Sequence, residues 1–524
     1  MRVLVFHGYL LRGTGSNVYN AELAAALVRL GHEVHLVCQE RHAEEFEFVG
    51  AVGDWDTGEL VVRRIGDAPC TVYRPDIGGL LPVYVADRYE GLEARPFQDL
   101  TEAEVDAYLR ANVSAVAEVA SRAQPDGALA NHLVMGPAIL ARALRRTGVS
   151  YAMVVHGSAL EYTVKPYPRF LPYAQEGVAG ARTVLVGSSP VAASLWAALE
   201  DPTLPPRTRI GTPGVDVHTF QPSDRSSALS RLHARAELLA HEKQPDSTPP
   251  AAASAFDRDR AQTATALANL GVTAQSGPLV AFVGKLILAK GIDLLLAAWP
   301  LVLDQFPGAA LAVIGFGAYR DAAERWISAL SGGDLAAVRE LAQIGRAAED
   351  GPTTRLGFVL SFLDWLEASE ERERYLAAAA LMRERVILTG RLEHRELADV
   401  LPLCEALVVP STFPEAFGMV AVEAAACAAL PISAAHSGLA EVSRVLALGL
   451  PDVVRELISF PLEPDVVRSI ARRLTEWLGA PGGLQDATRA TLVQTAAERY
   501  SWEGVARGVL AAVRGELDAL ESPS

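Results

Sequence analysis

Short apolar runs that end in polar or glycine-rich loops recur along the chain, and most are followed by segments whose apolar residues return with a helical period. RVLVF (2–6) is the first such run, and HGYLLRGTGSN (7–17) is the glycine-punctuated loop after it. In VYNAELAAALVRLG (18–31), Val18, Leu23, Leu27 and Leu30 fall close to one helical face, and Gly31 stands where that helix should stop. HEVHLVC (32–38) then resumes a strand. A strand–helix–strand opening predicts a parallel sheet with helices on its faces. The pattern returns at GALANH (127–132), SYAMVVHG (150–157) and RTVLVGSS (182–189), each run ending in polar residues. Open α/β sheets bind ligands beyond such strand ends.

A composition shift interrupts the series. From about 221 to 276 the chain is rich in Ala, Ser, Pro, Asp and Arg, including KQPDSTPPAAASAFDRDRAQT, and reads as a surface insertion, partly helical and partly flexible, beside an interdomain linker. A second strand–loop–helix series follows in PLVAFVGKL (278–286), ILAKGIDLLLAAWPLVLDQF (287–306), AALAVIGFG (309–317), RVILTGR (385–391) and ALVVPS (406–411). Between Tyr319 and Glu384 lies a mostly helical stretch whose aromatics, among them Trp326, Phe358, Phe362 and Trp365, suit a small core of its own. Two α/β halves, each opening on a glycine-rich turn, predict an enzyme with its ligand between the lobes.

Length and composition narrow this picture. A chain of 524 residues predicts two or three domains, and 50% hydrophobic with 21% charged residues is a globular composition. A net charge of −16 argues against nucleic-acid binding and against attraction to an anionic membrane. Cys38, Cys70, Cys404 and Cys427 are widely spread without a CxxC pair, so reduced structural thiols are expected rather than disulfides or a metal site. The opening MRVLVFHGYLL reads as a first strand rather than a signal peptide, and no apolar run approaches the ~18–20 residues of a membrane span. A soluble cytoplasmic protein is the expectation.

Three stretches carry candidate chemistry. RGTGSN (12–17) before a helix offers backbone N–H groups and a positive helix end to an anion, but as a dinucleotide fingerprint it fails, with Val18 at the third glycine position. In GKLILAKG (284–291), Lys285 and Lys290 flank a turn between a strand and a helix, where two ammonium groups could hold a diphosphate. The alternative is a pair of solvated lysines. In PSTFPEAFGMVAVEAAACAALPI (410–432), Glu415 lies at a strand end and Glu423 inside an Ala-rich helix. A buried carboxylate needs a polar partner; ligand hydroxyls, acid–base hydrolysis of a glycoside and helix capping are all open on this pattern.

The stretch from Pro410 to Ala424, P-S-x-x-x-E-x-F-G-x-x-x-x-E-A, closely resembles the E-x7-E signature of the retaining glycosyltransferases of family 4. GHEVHLV, VVHG, TPGVDVHTF, VGKLILAKGID, TGRLEHREL, SGLAEV and YSWEGVARGVL are similar to further family elements, in the family's order along the chain. The resemblance implies the GT-B fold, with two Rossmann-like doubly wound α/β domains facing a cleft. Here these are residues 1–205, a linker plus flexible insertion at 206–276, a nucleotide-sugar domain at 277–500 with a helical insertion at about 320–384, and a closing helix at 501–524 that crosses back to the first domain.

It also implies a metal-independent, retaining transfer of a hexosyl group from a nucleotide-sugar, UDP-sugar favoured, to a hydroxyl acceptor that is a small molecule or glycan. Neither a cofactor nor a protein nucleophile is implied, and no nucleic acid. By this resemblance Glu415 contacts the transferred sugar and Glu423 the ribose; Lys285 and Lys290 hold the diphosphate, and His156 sits beside the donor sugar. Gly13, Gly15, Gly284, Gly315, Arg391 and the amides of Phe417, Gly418, Met419 and Val420 line the donor pocket. Asn131, His132, Ser158 and Lys165 are acceptor candidates. Lys285 departs from the family's usual Arg, Pro213 from its Asn and Ser437 from its Gly. A non-catalytic scaffold using the helical insertion and a sugar-nucleotide epimerase of the same fold are the alternatives.

Overall fold

Runs buried on both faces dominate the strands, as a parallel sheet covered by helices requires. In the computed structural model, which describes residues 1–13, 15–84, 89, 91–241 and 259–523, the chain divides into two units. The first joins Met1–Gly214 to Tyr500–Ser524, and the second takes the described residues from Val215 to Arg499.

The first unit contributes β1 (Arg2–Phe6), β2 (Glu33–Val37), β3 (Ala51–Asp56), β4 (Glu59–Arg64), β5 (Cys70–Arg74), β6 (Leu80–Val83), β7 (Glu93–Pro96), β8 (Gly127–Asn131), β9 (Tyr151–Val155), β10 (Thr183–Val186) and β11 (Thr208–Ile210). Among the described residues, nine of these form one sheet in the order β11-β10-β9-β8-β1-β2-β5-β3-β4, and β6 pairs with β7. Val5 of β1 is in register with Leu36 of β2 and Leu129 of β8, both parallel. Helix Gly15–Arg29 carries the chain from β1 to β2, while β8 lies on the other side of β1. The direction of winding therefore reverses at β1, and strand ends at such a reversal, here those of β1 and β8, are where open α/β sheets bind ligands.

Strands β3 and β4 pair antiparallel, through a two-residue turn at Thr57 (φ 48°) and Gly58 (φ 87°), the positive-φ geometry that suits a twisted hairpin. The closing helix Trp502–Arg514 belongs to this unit. Thr183 Oγ1 donates to Ala512 O at 2.9 Å, and a Cβ on Gly127 would lie 2.2 Å from Val513 Cγ1, so only glycine admits the helix there.

In the second unit β12 (Leu279–Val283), β13 (Ala310–Ile314), β14 (Val386–Gly390), β15 (Cys404–Val409), β16 (Leu430–Ala434) and β17 (Ser459–Phe460) form a parallel sheet in the order β14-β13-β12-β15-β16-β17. Its reversal point is β12, between β13 and β15. The stretch between β13 and β14 is helical: Arg320–Ser331, Leu335–Ile344, Gly357–Ala368, Arg372–Ala379 and Met382–Arg385, with Trp326, Phe362 and Leu366 buried.

The segment 206–276, expected as a linker with an insertion partly helical and partly flexible, carries two helices in its described part. Helices Arg225–His241 and Arg260–Ala274 are part of the second unit, with Ala228, Leu232, Ala236 and Leu239 buried on one and Leu267, Leu270 and Ala274 on the other. Apolar residues at helical spacing carry this packing, and the polar composition between them gave no sign of where the helices begin and end. The Pro- and Ala-rich residues 242–258 lie outside the described residues. All four cysteines are buried free thiols. Among the described residues no helix is long and apolar enough to cross a membrane.

Candidate active site

In the second unit the strand ends nearest the reversal point converge through glycines. A Cβ on Gly315 would lie 1.8 Å from Gly284 O, so glycine there lets the end of β13 close on the end of β12. Lys285 follows, its Nζ 6.0 Å from the centroid of Phe316. The short turn Leu288–Lys290 ends at Gly291, whose φ of 70° and a Cβ position 1.9 Å from Pro410 O require glycine. This close approach sets Lys290 against the loop after β15.

There Lys290 Nζ pairs with Glu415 Oε1. Ser411 Oγ donates to the same carboxylate oxygen at 2.6 Å. The Glu415 amide donates to Ser437 Oγ at 2.9 Å, and Gly438 N–H donates to Glu415 O at 2.9 Å, so the loop is held from the start of the next helix. His436 Nε2 donates to Ser411 O at 2.7 Å. Helix Met419–Ala426 starts immediately afterwards, at Gly418 (φ 147°). The first amides of a helix have no intrahelical acceptor and carry its positive end, so the amides of Gly418, Met419 and Val420 suit an anion beside the Lys290–Glu415 pair, while Phe417 precedes the cap.

Glu423 lies farther along that helix, 3% exposed, and its Oε1 accepts from His394 Nε2 at 3.2 Å. The polar partner that a buried carboxylate needs is thus partly supplied by the protein. Arg391, after β14, donates to Glu393 at 2.6 Å within its own loop. The structure therefore joins Lys290 to Glu415 directly, and it holds Glu423 and Arg391 through partners of their own.

In the first unit the adjacent ends of β1, β8 and β9 deliver His7, Asn131 with His132, and His156. His7 Nε2 donates to Leu10 O (2.9 Å) and Asn17 Oδ1 (3.0 Å), while its Nδ1 accepts from Asn20 Nδ2 at 3.0 Å. Asn131 Oδ1 accepts from Asn20 Nδ2 (3.2 Å) and His156 Nε2 (3.0 Å), and Asn131 Nδ2 donates to Phe6 O (3.1 Å). His132 adopts a left-handed φ of 68° and is 1% exposed. Its ring lies 5.6 Å from that of His7, 4.8 Å from His156 and 4.9 Å from Tyr84, and neither ring nitrogen has a hydrogen-bond partner among the described residues. Burial pushes His7 down to about 4, His156 to about 3 and His132 well below its usual range. All three imidazoles are neutral at pH 7.

The other predicted residues of this unit stand apart from that network. Gly13 (φ 95°) is in the loop after β1, and Gly15 opens helix Gly15–Arg29. Ser158 lies in the short helix Gly157–Ala159 beside His156. Lys165 is engaged by Glu161 at 2.7 Å and by Ser194 Oγ at 3.2 Å. Sequence reasoning missed His7, Asn17 and Asn20 in this unit, and Ser411, His394 and His436 in the other; it marks Ser437 as a departure from the family pattern, without its hydrogen bond to the Glu415 amide. The one local signal was polar residues directly after an apolar strand, which marks His7; Asn17 and Asn20 signal only as a pair three apart.

Residues 14–203 match the family model described as Glycosyl transferase 4-like domain, and residues 356–450 match Glycosyl transferases group 1. The D-inositol 3-phosphate glycosyltransferase of Segniliparus rotundus is 30% identical over 255 residues, 48% of this chain and 43% of that protein. The chain thus spans less than half the length of that relative. Among solved structures, sucrose-phosphate synthase from Thermosynechococcus elongatus superposes with a TM-score of 0.57 at 17% identity over 99% of both chains. Anabaena HepE in complex with UDP-glucose does so with a TM-score of 0.54 at 14% identity, over 99% of this chain and 100% of that one. At these identities the structural likeness speaks to the fold alone.

Proposed function

This chain belongs to the GT4-like glycosyltransferases and has the GT-B fold, and from that premise we propose that it moves a hexosyl group from a nucleotide-sugar, a UDP-sugar first, to a hydroxyl acceptor. The transfer retains configuration at the anomeric carbon and needs no metal. The observation that carries this reading is the Lys290–Glu415–Ser411 cluster at the start of the Met419–Ala426 helix.

Breaking the glycosidic C–O bond leaves negative charge on the diphosphate and positive character on the anomeric carbon. Fixed cations and helix amides are worth most where such charge develops, because they need no reorganisation when it appears. Lys285, Lys290 and the amides of Gly418, Met419 and Val420 supply these groups. Glu415 takes the hydroxyls of the transferred sugar and holds Lys290 in place. Glu423, with His394, takes the ribose hydroxyls, while Gly284, Gly315 and Arg391 shape the nucleotide pocket. The acceptor hydroxyl attacks the face the diphosphate leaves; its proton passes to the departing phosphate oxygen, so no protein nucleophile takes part. Neutral His156 presents Nδ1 as an acceptor while its Nε2–H is spent on Asn131. Of the acceptor candidates, Ser158 is the accessible contact, with Lys165 at its edge; Asn131 and His132 are buried and hold the His156 ring from behind.

The test is a thermal-shift panel of UDP, GDP, ADP and their glucose conjugates. A ligand that binds only the folded state raises the melting temperature, and one nucleotide is expected to do so above the others. A panel without any shift would sink the donor assignment. Turnover is expected to survive EDTA, and loss of activity on chelation would remove the metal-free step.

A further inference from the structure

The helical stretch between β13 and β14 reaches the lysine turn through the side chain of Glu349. Helix Leu335–Ile344 ends at Gly345, where φ is 48° and a Cβ would lie 1.7 Å from Thr354 O. The loop that follows is tied at both ends: Gly351 N–H donates to Arg346 O at 2.9 Å, and Leu356 N–H to Ala342 O at 2.8 Å. This rigid loop presents Glu349, whose side chain is only 7% exposed. Glu349 Oε2 accepts the backbone N–H of Leu288 at 2.9 Å, and Oε1 takes the exposed Arg346 at 3.1 Å.

Leu288 is the first residue of the turn that ends in Lys290. On the opposite side Thr412 N–H donates to Ala289 O at 3.0 Å. The turn is therefore clamped by the helical insertion on one side and by the Glu415 loop on the other. Asp293, just beyond it, is 4% exposed with Oδ1 unpartnered among the described residues, and burial first, then the charge of Glu349, raises it to about 7. Placing a second carboxylate in so dry a place is costly unless its hydrogen bonds compensate. A carboxylate gripping a backbone N–H makes one of the stronger bonds available.

We propose that Glu349 is a positioning residue: the helical insertion uses its carboxylate to hold the Leu288–Lys290 turn, and so Lys290, ready for the nucleoside diphosphate. The role rests on the donor reading above. It makes the insertion part of the donor site's scaffold rather than a separate binding module.

The experiment measures UDP and uridine binding by calorimetry in wild type, Glu349→Ala, Glu349→Gln, Lys290→Ala and the Glu349→Gln/Lys290→Ala double variant. Glu349→Ala is expected to weaken UDP about tenfold or more, since a charge-assisted bond is lost, with uridine unchanged because it has no phosphates. Glu349→Gln keeps an acceptor for Leu288 N–H and should lose only about threefold. In the Lys290→Ala background that threefold loss should vanish, because residues acting through one another are not additive. The last comparison holds even if the alanine variant fails to fold. Equal losses for uridine and UDP, wild-type UDP affinity in Glu349→Ala, or full additivity with Lys290→Ala would each overturn the role. A wild-type protein that binds no nucleoside diphosphate is a separate failure; it overturns the donor reading first and this role with it.

Discussion

Replacing Lys290 by alanine separates what the lysine does for chemistry from what it does for stability. Its Nζ meets Glu415 Oε1, and the two side chains are 31% and 23% exposed. An ion pair that wet contributes of order 0–1 kcal/mol to folding, and less in salt. Glu415 also keeps the Ser411 hydroxyl at 2.6 Å. The melting temperature of Lys290→Ala should therefore fall by no more than ~4 °C. A fixed donor aimed at developing charge is worth about 2.7–4 kcal/mol in the transition state, a factor of about 100–1,000 in turnover. The assay is UDP release from the UDP-sugar selected by the thermal-shift panel, at saturating donor, beside a melt on the same preparation. Turnover should drop at least ~100-fold while the melt hardly moves. Glu415→Ala should lose a similar factor, and the double variant less than the product of the two, because one pair serves one bound sugar diphosphate. Turnover of Lys290→Ala within about threefold of wild type would refute the assigned role. A collapse of the melt in step with activity would refute the separation.

Other consequences follow from neighbouring residues. Glu423→Ala should weaken UDP by about tenfold while leaving inhibition by pyrophosphate unchanged; equal loss of both would show that Glu423 does not act through the ribose. Gly291→Ala should destabilise by more than ~2 kcal/mol, because alanine at φ 70° costs about 1–2 kcal/mol and its Cβ would lie 1.9 Å from Pro410 O. Gly482→Ala, at the start of helix Gly482–Tyr500 with no atom within 4 Å of its Cβ, is the control and should be neutral or stabilising in a denaturant melt. The pH response has two opposed parts. His7 and His156 titrate at about 4 and about 3 when folded, against 6.5 unperturbed, so the unfolded chain takes up protons that the first unit refuses. Stability from these groups is complete above pH ~6.5 and falls as the pH drops toward 3, by up to ~1.4 kcal/mol per pH unit for each histidine. Asp293, raised from 3.8 to about 7, works the other way: the stability it adds is complete below about pH 4 and is lost as the pH rises through 7. Asp293→Asn should therefore raise the melt of the second unit at pH 8 and flatten its dependence between pH 5 and 8; a variant no more stable than wild type at pH 8 contradicts this.

The chain's own periodicity determined the strands and helices that hold the site. RVLVF, GALAN, YAMVV and LVAFV are legible because a strand buried on both faces must be apolar throughout. Helix Gly15–Arg29 is legible from its apolar face and from Gly31, which adopts φ 81° just past its end. Motif order then carried the family, and it singled out Lys285, Lys290, Glu415 and Glu423 as donor-site candidates. The β3–β4 hairpin was not legible, and of helices Arg225–His241 and Arg260–Ala274 only a partly helical character was, since an exposed edge strand and an Ala-faced helix carry little hydrophobic contrast. Partnerships were decided by tertiary structure alone. Lys290 meets Glu415 across 125 residues, His156 meets Asn131 across 25, and Glu349 reaches Leu288 across 61. Periodicity reports which face of an element is buried, and it carries no record of which strand ends lie side by side. That neighbourhood is set by strand order and by close glycine contacts such as Gly291 on Pro410, where backbone meets backbone and no side-chain pattern announces it.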